Sequence, residues 1–381
     1  MPTTAARPFP HERALLFTLT AVQFTHILDF MIMMPLGARL MQVFGITPTQ
    51  FSLLVASYGF AAAATGFLGG FVLDRFDRRS ALLTLYTGFG IATLACALAP
   101  TYEILMAARI AAGACGGVAG SLVTSMVGDV IPPERRGRAM GMVMTAFPIA
   151  SVFGVPAGLI LSGWLEWHAP FQLLALCSAG ILFYARRVLP HVPAHRSDNH
   201  PVRQMVEILT HPIHRRCFLL SGVLVFAGAS VVPFMAPSLI TNVGLDERWE
   251  LPLVYLFGGA CAFVTMPWLG RLSDRHDKLH VLAVVSLLAV AVVPFITNLG
   301  PGPLPYTLVT TTLFFIAMSG RFAPAMAMIT NAVAARYRGG FMSVNSAVQQ
   351  ASGGLANLTA GLLITQLGLR RVPVVLRICP R

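Results

Sequence analysis

Four ionisable side chains lie inside long apolar stretches of this sequence, where charges are rare. Asp29 and His26 belong to the first such stretch, Arg109 to the fourth and Arg321 to the tenth. An ionisable side chain within a bilayer is costly, and it commonly marks a pathway for an ion or a substrate. Asp29 is the only acid predicted near the middle of the membrane, so it is the first candidate for binding and releasing a proton.

Asp29 and Arg109 are predicted to lie at equal depth in the membrane. Asp29 precedes the outer end of its helix at Leu36 by seven residues, and Arg109 follows the outer start of its helix at Tyr102 by seven residues. At about 1.5 Å of rise per residue, both lie roughly 10 Å below the outer edge of the membrane. Equal depth is a condition for an ion pair between them.

His26 and Arg321 each allow two interpretations. His26 lies three residues before Asp29 on the same face of a helix, and an imidazole that titrates near neutral pH suits a proton relay. A packed or solvated histidine fits the sequence equally well. Arg321 has no acidic residue near it within its helix, so it either binds an anionic group of a substrate or donates hydrogen bonds to the carbonyls that Pro324 leaves free.

The elements that must position these residues are membrane-spanning helices. Of 381 residues, 56% are hydrophobic and 11% are charged, which is too little charge to cover a water-soluble globule. A helix crosses a bilayer with about 20 apolar residues. Eleven stretches qualify, namely residues 14–36, 50–73, 80–99, 102–127, 139–164, 169–189, 217–242, 251–269, 279–297, 305–327 and 341–366.

The formal charge of +12 is concentrated on one side of the predicted membrane. Most Lys and Arg residues occur in the N-terminal segment and the even-numbered connections, whereas the opposite connections contain only Arg39 and Arg248. The positive-inside rule therefore predicts a cytoplasmic N-terminus. This one-sided distribution also argues against nucleic-acid binding, which a high net charge alone would suggest.

A short motif occurs twice and divides the chain into two related halves. GGFVLDRFDRR at residues 69–79 aligns with LGRLSDRHDK at residues 269–278 at an offset of 200. A nearly constant offset across several helices indicates a duplication. Aspartate and arginine side chains at helix ends can pair with helix termini and with charges of the other half, so both loops are predicted to form a conformational latch. Alternatively, the arginines only set the topology. The latch residues are Gly70, Asp74, Arg75, Arg78, Arg79, Gly270, Asp274 and Arg275.

The predicted domains follow from the duplication. Residues 1–189 form a six-helix bundle, residues 190–216 a polar cytoplasmic linker, residues 217–368 a bundle of five helices and residues 369–381 an atypical tail. The duplication requires a twelfth helix, yet LGLRRVPVVLRICPR after Gln366 is too short and too rich in arginine for one. We therefore expect the tail to result from truncation or a frame shift of a longer membrane protein.

These motifs resemble those of the major facilitator superfamily. That family carries G-x-x-x-D-R-x-G-R-R between its second and third helices, matched here by Gly70, Asp74, Arg75, Arg78 and Arg79. Asp77 stands in place of the usual glycine. FTHILDFMIMMPLG at residues 24–37 resembles the drug and sugar efflux branch related to arabinose efflux permeases.

Two further elements are similar to motifs of the same family. Arg109 with Gly113 resembles its R-x-x-x-G element, and the segment containing Gly154, Pro156 and Gly158 resembles the glycine–proline motif of antiporters, although it reads G-V-P-A-G. The resemblance implies an all-α integral membrane protein with the major facilitator fold, two six-helix bundles with the twelfth helix missing, and alternating access around a central cavity. The first and fourth helices line that cavity, so Asp29 and Arg109 are expected to pair there. The pair either couples transport to protons or is permanent and only fixes packing.

The predicted function is export of a small molecule, such as a drug or a sugar, against protons across the bacterial inner membrane. An uptake symporter for a sugar or organic acid and a non-transporting fragment or sensor are the alternatives. Enzyme activity is not expected because no nucleophile, base and orienting acid cluster along the chain. Neither a metal nor a cofactor is expected, and the scattered cysteines are interpreted as apolar packing residues. The expected partners are a small-molecule substrate and the lipid bilayer, and the protein is predicted to act as a monomer.

Overall fold

The computed structural model describes residues 12–72, 76–192, 201–334 and 337–366. These residues form helices joined by short connections, and no β-strand occurs among them. Ten of the helices are long and apolar enough to cross a membrane. The predicted all-α membrane architecture is therefore confirmed.

In the described part of the chain we label eleven long helices. Eight are continuous: α1 (Glu12–Ile32), α2 (Pro48–Val72), α3 (Arg78–Ala97), α4 (Tyr102–Val130), α6 (Ala169–Val188), α8 (Glu250–Arg275), α9 (Lys278–Thr297) and α11 (Arg338–Gln366). Three are divided into segments: α5 (Pro133–Met144, Ala146–Ile149, Ala150–Gly154 and Val155–Trp164), α7 (Pro212–Ala229, Val232–Ser238 and Leu239–Val243) and α10 (Leu304–Gly320 and Phe322–Ala332). Two short helices, Gly37–Phe44 and Pro201–Thr210, lie in connections.

The eleventh predicted span is present as helix α11, but it is not among the ten helices that are apolar enough to cross a membrane by themselves. Its sequence contains polar side chains along most of its length, including Asn345, Gln349 and Asn357. It packs along α2 and α7, where Oγ of Ser221 donates a hydrogen bond to Oδ1 of Asn345 at 2.7 Å. Contacts with neighbouring helices therefore hold α11 in place and provide hydrogen-bond partners for some of its polar side chains.

Side-chain caps and glycines set several helix boundaries. Asp77 begins α3 and Asp277 begins α9, and each carboxylate accepts a hydrogen bond from an amide of the first turn. The two copies of the repeated motif thus begin equivalent helices. The short helix Gly37–Phe44 ends at Gly45 with φ of 61°, and α7 ends at Gly244 with φ of 84°. This left-handed conformation favours glycine.

The helices pack as two groups, α1 to α6 and α7 to α11, which meet along α2 with α11 and along α5 with α8. Small residues permit close contact at both places: Gly59 faces the backbone of Gln350, and Gly259 faces Ser151. The largest hydrophobic cluster contains buried residues of both groups, including Phe51 and Phe234. The boundaries of the predicted domains stay predictions, and residues 193–200 of the linker and 367–381 of the tail lie outside the described residues.

The predicted outer ends of the two groups are joined at the C-terminus of α5. Nη1 of Arg39 donates a hydrogen bond to the carbonyl of Ser162 at 2.7 Å, and Arg248 packs against the last turn of the same helix. Trp164 and Trp249 make an edge contact, with ring centroids 5.8 Å apart. Cations are favoured at helix C-termini, which accounts for the position of the Arg39 guanidinium.

Gly361→Ala is expected to separate α11 from α2. A Cβ at position 361 would collide with the Ser52 side chain and lie 3.1 Å from the carbonyl oxygen of Pro48. We measure the contact through a disulfide between Thr49→Cys and Thr365→Cys, because the two hydroxyl oxygens are 2.6 Å apart. Overpacking of about 1–3 kcal/mol predicts that the rate of disulfide formation falls about tenfold.

The matched control for this prediction is Gly353→Ala on the same helix. Its added Cβ would meet its nearest neighbour at 3.4 Å, an ordinary van der Waals distance. The control should form the disulfide at the parent rate. Equal rates in both alanine variants would contradict the close contact at Gly361.

Candidate functional site

Asp29 and Arg109 form an ion pair in the interior of the first helix group. Nη1 of Arg109 lies 2.7 Å from Oδ2 of Asp29 and also donates to the Asp29 backbone carbonyl at 3.2 Å. Neither side chain has exposed surface. The structure therefore brings together the two residues whose equal depth suggested a pair.

Three further side chains surround this ion pair. Oγ1 of Thr93 on α3 donates to Oδ1 of Asp29 at 3.3 Å. The guanidinium carbon of Arg109 lies 4.4 Å from the ring centroid of Tyr58 on α2, within the range of a cation–π interaction. Cys96 on α3 is also fully buried beside Arg109. The site is thus built by α1, α2, α3 and α4 together.

Arg109 makes fewer hydrogen bonds than its guanidinium allows. Among the described residues, Nε and Nη2 have no hydrogen-bond partner although both are buried. Buried polar groups are normally satisfied, so these two donors are free to bind another group when the site changes. Removing one partner of a buried ion pair typically costs about 3–5 kcal/mol. Any step that neutralises Asp29 therefore acts strongly on Arg109.

Glycines bring the neighbouring helices close to this site. A Cβ at Gly113 of α4 would collide with the backbone of Tyr58, and one at Gly117 would lie 2.6 Å from the Cβ of Ala62. Gly154 and Gly158 of α5 face Leu28 and Ile32 of α1 in the same way. The glycine–proline segment of α5, with Pro156 between its glycines, therefore packs against the turn of α1 that contains Asp29.

His26 lies one turn from Asp29 on α1, but the structure shows no hydrogen bond between the two side chains. Its ring lies over Gly116 and Gly120 of α4. Nδ1 of His26 is buried without a partner among the described residues, and so is Oε1 of Gln23 one turn further along α1. The sequence-based expectation of a relay stays a prediction, with Gln23 as a second polar group beside it.

Arg321 lies where the two segments of α10 meet. Its side chain is 6% exposed, and Nη2 contacts Sδ of Met318 at 2.7 Å. Within the described residues Arg321 makes neither an ion pair nor a hydrogen bond to a backbone carbonyl. Its Nε has no hydrogen-bond partner there. The alternative in which it satisfies carbonyls near Pro324 is therefore not supported by these contacts.

The described part of the first latch loop is attached to its own helix group. Nε of Arg78 lies 3.3 Å from Oδ2 of Asp129 on α4, and Arg79 donates to the carbonyl of Arg186 on α6. Gly70 lies in the last turn of α2. Asp74 and Arg75 lie outside the described residues, so the proposed latch across the two groups stays a prediction.

The second copy of the loop lies at the end of α8. Gly270, Asp274 and Arg275 belong to the last two turns of this helix. Gly270 has open space around it, and Arg275 is exposed. In this conformation no neighbouring helix in the described part of the chain packs closely against Gly270.

Asp77, which replaces the glycine of the family motif, connects the loop to the end of α6. Oδ2 accepts hydrogen bonds from N–H and Oγ of Ser80 at 2.9 and 2.8 Å, and Oδ1 accepts from the Val192 amide at 3.0 Å. Burial acts to raise the pKa of Asp77, but the hydrogen bonds from Ser80 and Val192 outweigh burial and hold the pKa below its ordinary value.

Asp77→Ala is expected to lower the free energy of unfolding by about 1 kcal/mol, because it removes a helix cap. A carboxyl whose pKa is lowered by folding stabilises the protein above its unfolded pKa, and this stabilisation is lost as the pH falls through the folded value. The difference in melting temperature between the parent and Asp77→Ala should therefore be constant near neutral pH and shrink below about pH 4. Thermal unfolding in detergent across that range measures it.

The control for this prediction is Glu166→Ala, which removes an exposed acid that contacts His168. It should leave the melting temperature unchanged. If the melting temperature of Asp77→Ala stays equally far below that of the parent at pH values under 3.5, the ionised carboxylate is not the form that stabilises the protein.

The histidine, cysteine and acidic side chains of the described residues do not form a metal-binding cluster. No group of three or more His, Cys, Asp or Glu side chains there could hold a metal ion. Cys96, Cys115, Cys177, Cys217 and Cys261 are all free thiols, and Cys379 lies outside the described residues.

Apolar spanning helices in two packed groups, with a buried ion pair inside one group, are the arrangement expected of a membrane transporter. The sequence profile of the Major Facilitator Superfamily matches residues 19–357, and the chain belongs to this family. The chain is accordingly a multi-pass membrane transporter rather than an enzyme, and the predicted major facilitator fold is confirmed.

Two curated relatives and one solved structure illustrate this membership. A chloramphenicol resistance protein of Streptomyces lividans is 28% identical over 308 residues, which cover 77% of each chain. A probable sugar efflux transporter of Pasteurella multocida (strain Pm70) is 21% identical over 258 residues, 68% of this chain and 63% of that relative. A bacterial homolog to the human lysosomal transporter Spinster, inward-facing and unoccupied, superposes with a TM-score of 0.77 at 18% identity over 93% of this chain and 83% of that chain.

Proposed function

We propose that this transporter exports a small molecule in exchange for protons and that Asp29 is the group that binds the proton. The observation that carries the proposal is the ion pair of Asp29 with Arg109, in which neither side chain is exposed. An enclosed carboxylate must either keep a cationic partner or take up a proton. Asp29 therefore has two stable states, ionised beside Arg109 and protonated without it.

Proton and substrate bind alternately in the proposed cycle. Substrate enters from the cytoplasm when Asp29 is ionised, and it leaves on the outer side, where Asp29 takes up a proton. The protonated form returns to the cytoplasmic side and releases the proton as Arg109 pairs with Asp29 again. Exchange results because each ligand favours a different state of the same site.

The names of the relatives support export and a small-molecule substrate such as a drug or a sugar. Both curated relatives are bacterial, which supports the bacterial inner membrane as the location, with the N-terminus in the cytoplasm as the positive-inside rule predicts. In this proposal the protein acts as a monomer and a proton gradient is its energy source.

Three residues or groups of residues have secondary roles in the proposal. His26, with Gln23, carries protons between Asp29 and the cytoplasmic side. Arg321, a buried cation without an acidic partner among the described residues, contacts the substrate in the second helix group. The loops at Arg78 and Arg275 hold one conformation and release it in the other.

Proton movement across vesicles tests the proposal. Everted membrane vesicles are energised by respiration, and chloramphenicol or arabinose is then added while a fluorescent dye reports the internal pH. Proton release that depends on the protein and on one of these compounds supports antiport. Vesicles without the protein are the control.

Two other outcomes would replace the proposal. Proton uptake from the medium into right-side-out vesicles on addition of arabinose or an organic acid would identify an uptake symporter. Protein that is present in the membrane without substrate flux or proton movement on addition of chloramphenicol, arabinose or an organic acid would favour a sensor or a non-transporting form.

A further inference from the structure

Tyr58 on α2 is a residue that neither the charge pattern nor the motifs of the sequence single out. Its side chain has no exposed surface, and the guanidinium carbon of Arg109 lies 4.4 Å from the centroid of its ring. The tyrosine hydroxyl has no hydrogen-bond partner among the described residues. The ring, rather than the hydroxyl, is therefore the part of Tyr58 that acts on the site.

The position of the ring is fixed from both sides. The backbone of Tyr58 packs directly against Gly113 of α4, and its ring contacts Phe30 of α1 with centroids 5.3 Å apart. Phe30 is the neighbour of Asp29 in the chain. The contact with Gly113 thus holds the backbone of Tyr58, and the contact with Phe30 supports its ring.

The groups around Asp29 show what Arg109 retains when the carboxyl is neutral. Arg109 faces it from α4, Thr93 and Cys96 from α3, and Tyr58 from α2. His26 lies one turn away on α1, and Cys115 of α4 is near Tyr58. None of these apart from Asp29 is an acid. Once Asp29 is protonated, the Asp29 backbone carbonyl, which accepts from Nη1, and the ring face of Tyr58 are the negatively polarised groups that still contact the guanidinium.

The ring acts differently in the two states of the carboxyl. An aromatic face attracts a cation and repels an anion, so beside the ionised pair its attraction for Arg109 is partly cancelled by repulsion of the Asp29 carboxylate. With Asp29 protonated, only the attraction remains. The ring therefore favours the protonated state relative to the ionised one.

We propose that Tyr58 is a positioning residue that stabilises Arg109 while Asp29 is protonated, and that it thereby sets the pH at which Asp29 exchanges its proton. The inference deepens the proposed proton exchange and rests on it for its biological role. A purely structural tyrosine would affect only folding, because any ring of the same size would then serve equally well.

Infrared titration of the purified full-length protein tests this inference without requiring transport. The carbonyl stretch of a protonated carboxyl is assigned to Asp29 by its absence in Asp29→Asn, and its intensity is followed against pH. Tyr58→Phe keeps the ring and removes the hydroxyl, and a trifluorinated phenylalanine at position 58 keeps the shape but weakens the negative face. These two variants differ little in side-chain volume, so both are expected to fold to the same extent, and a difference in midpoint reports the ring electrostatics.

The expected result is the same midpoint for Tyr58→Phe and the parent, and a midpoint about one pH unit lower for the trifluorinated ring, because a weakened ring favours the protonated state less. Equal midpoints for the two rings would overturn the inference. Absence of substrate-driven proton movement in vesicles of the parent protein would overturn the proposed function instead, so the two failures are distinguishable.

Discussion

Asp29→Asn is expected to abolish substrate-driven proton movement while substrate exchange across the membrane continues. Asparagine has nearly the shape of aspartate but cannot bind and release a proton, so the step that links the two flows is lost. Net export driven by a proton gradient should fall about a hundredfold or more, since ion-coupled movement against a gradient depends on this one group. Exchange of labelled for unlabelled chloramphenicol needs no proton and should continue at saturating substrate. Because asparagine resembles the neutral carboxyl, a higher substrate concentration than in the parent should be needed for half-maximal exchange.

Folding must be separated from coupling in this experiment. Asp29→Asn leaves Arg109 buried without its counter-ion, at a cost of about 3–5 kcal/mol, whereas Asp29→Asn combined with Arg109→Gln removes both charges and should recover part of that stability. Glu166→Gln is the surface control, because Glu166 is exposed and contacts His168, away from the ion pair and from both loops. Proton-driven export that survives in a folded Asp29→Asn protein would exclude Asp29 as the coupling group.

Gly113→Val is expected to prevent assembly of the first helix group. A Cβ at this position would collide with the backbone of Tyr58 on α2, and a backbone contact cannot be relieved by a side-chain rotation. Overpacking of a tight interface costs about 1–3 kcal/mol and more when the backbone must move. The same displacement would remove Tyr58 from Arg109. We expect little folded protein in size-exclusion chromatography and no transport.

Gly128→Val is the matched control on the same helix, because a Cβ there meets nothing within 4 Å. It carries the same cost of placing a β-branched residue in a helix, so only the contact differs between the two variants. A Gly113→Val protein that folds and transports as well as the control would contradict the close packing of α2 on α4.

The sequence predicts the ion pair because membrane depth restricts which charges can meet. Asp29 and Arg109 were found by counting residues from the helix ends. We expected them to pair because burying an unpaired charge in an apolar interior costs free energy. Tyr58 and Thr93 were not predicted. Both are ordinary residues of apolar helices, and whether such a residue faces the pair depends on the rotation of α2 and α3, which the apolar pattern leaves undefined.

The glycines near the site were only partly predictable. Gly113, Gly154 and Gly158 matched family motifs, but the partner of each glycine depends on helix packing that no local pattern shows. The structure places α1 opposite both glycines of α5. Helix α11 was predicted as an apolar span. Its polar residues do not reveal which helices are its neighbours, so the packing of α2 and α7 against it could not be predicted.

The most direct test of proton exchange at Asp29 is to measure proton release when substrate binds to the purified protein. Detergent-solubilised protein is mixed with chloramphenicol or arabinose in weakly buffered solution, and a pH indicator counts the protons released per bound molecule. We predict release that approaches one proton per substrate at a pH where Asp29 is protonated, and none for Asp29→Asn that still binds the compound. Equal release from the parent and the variant would contradict it.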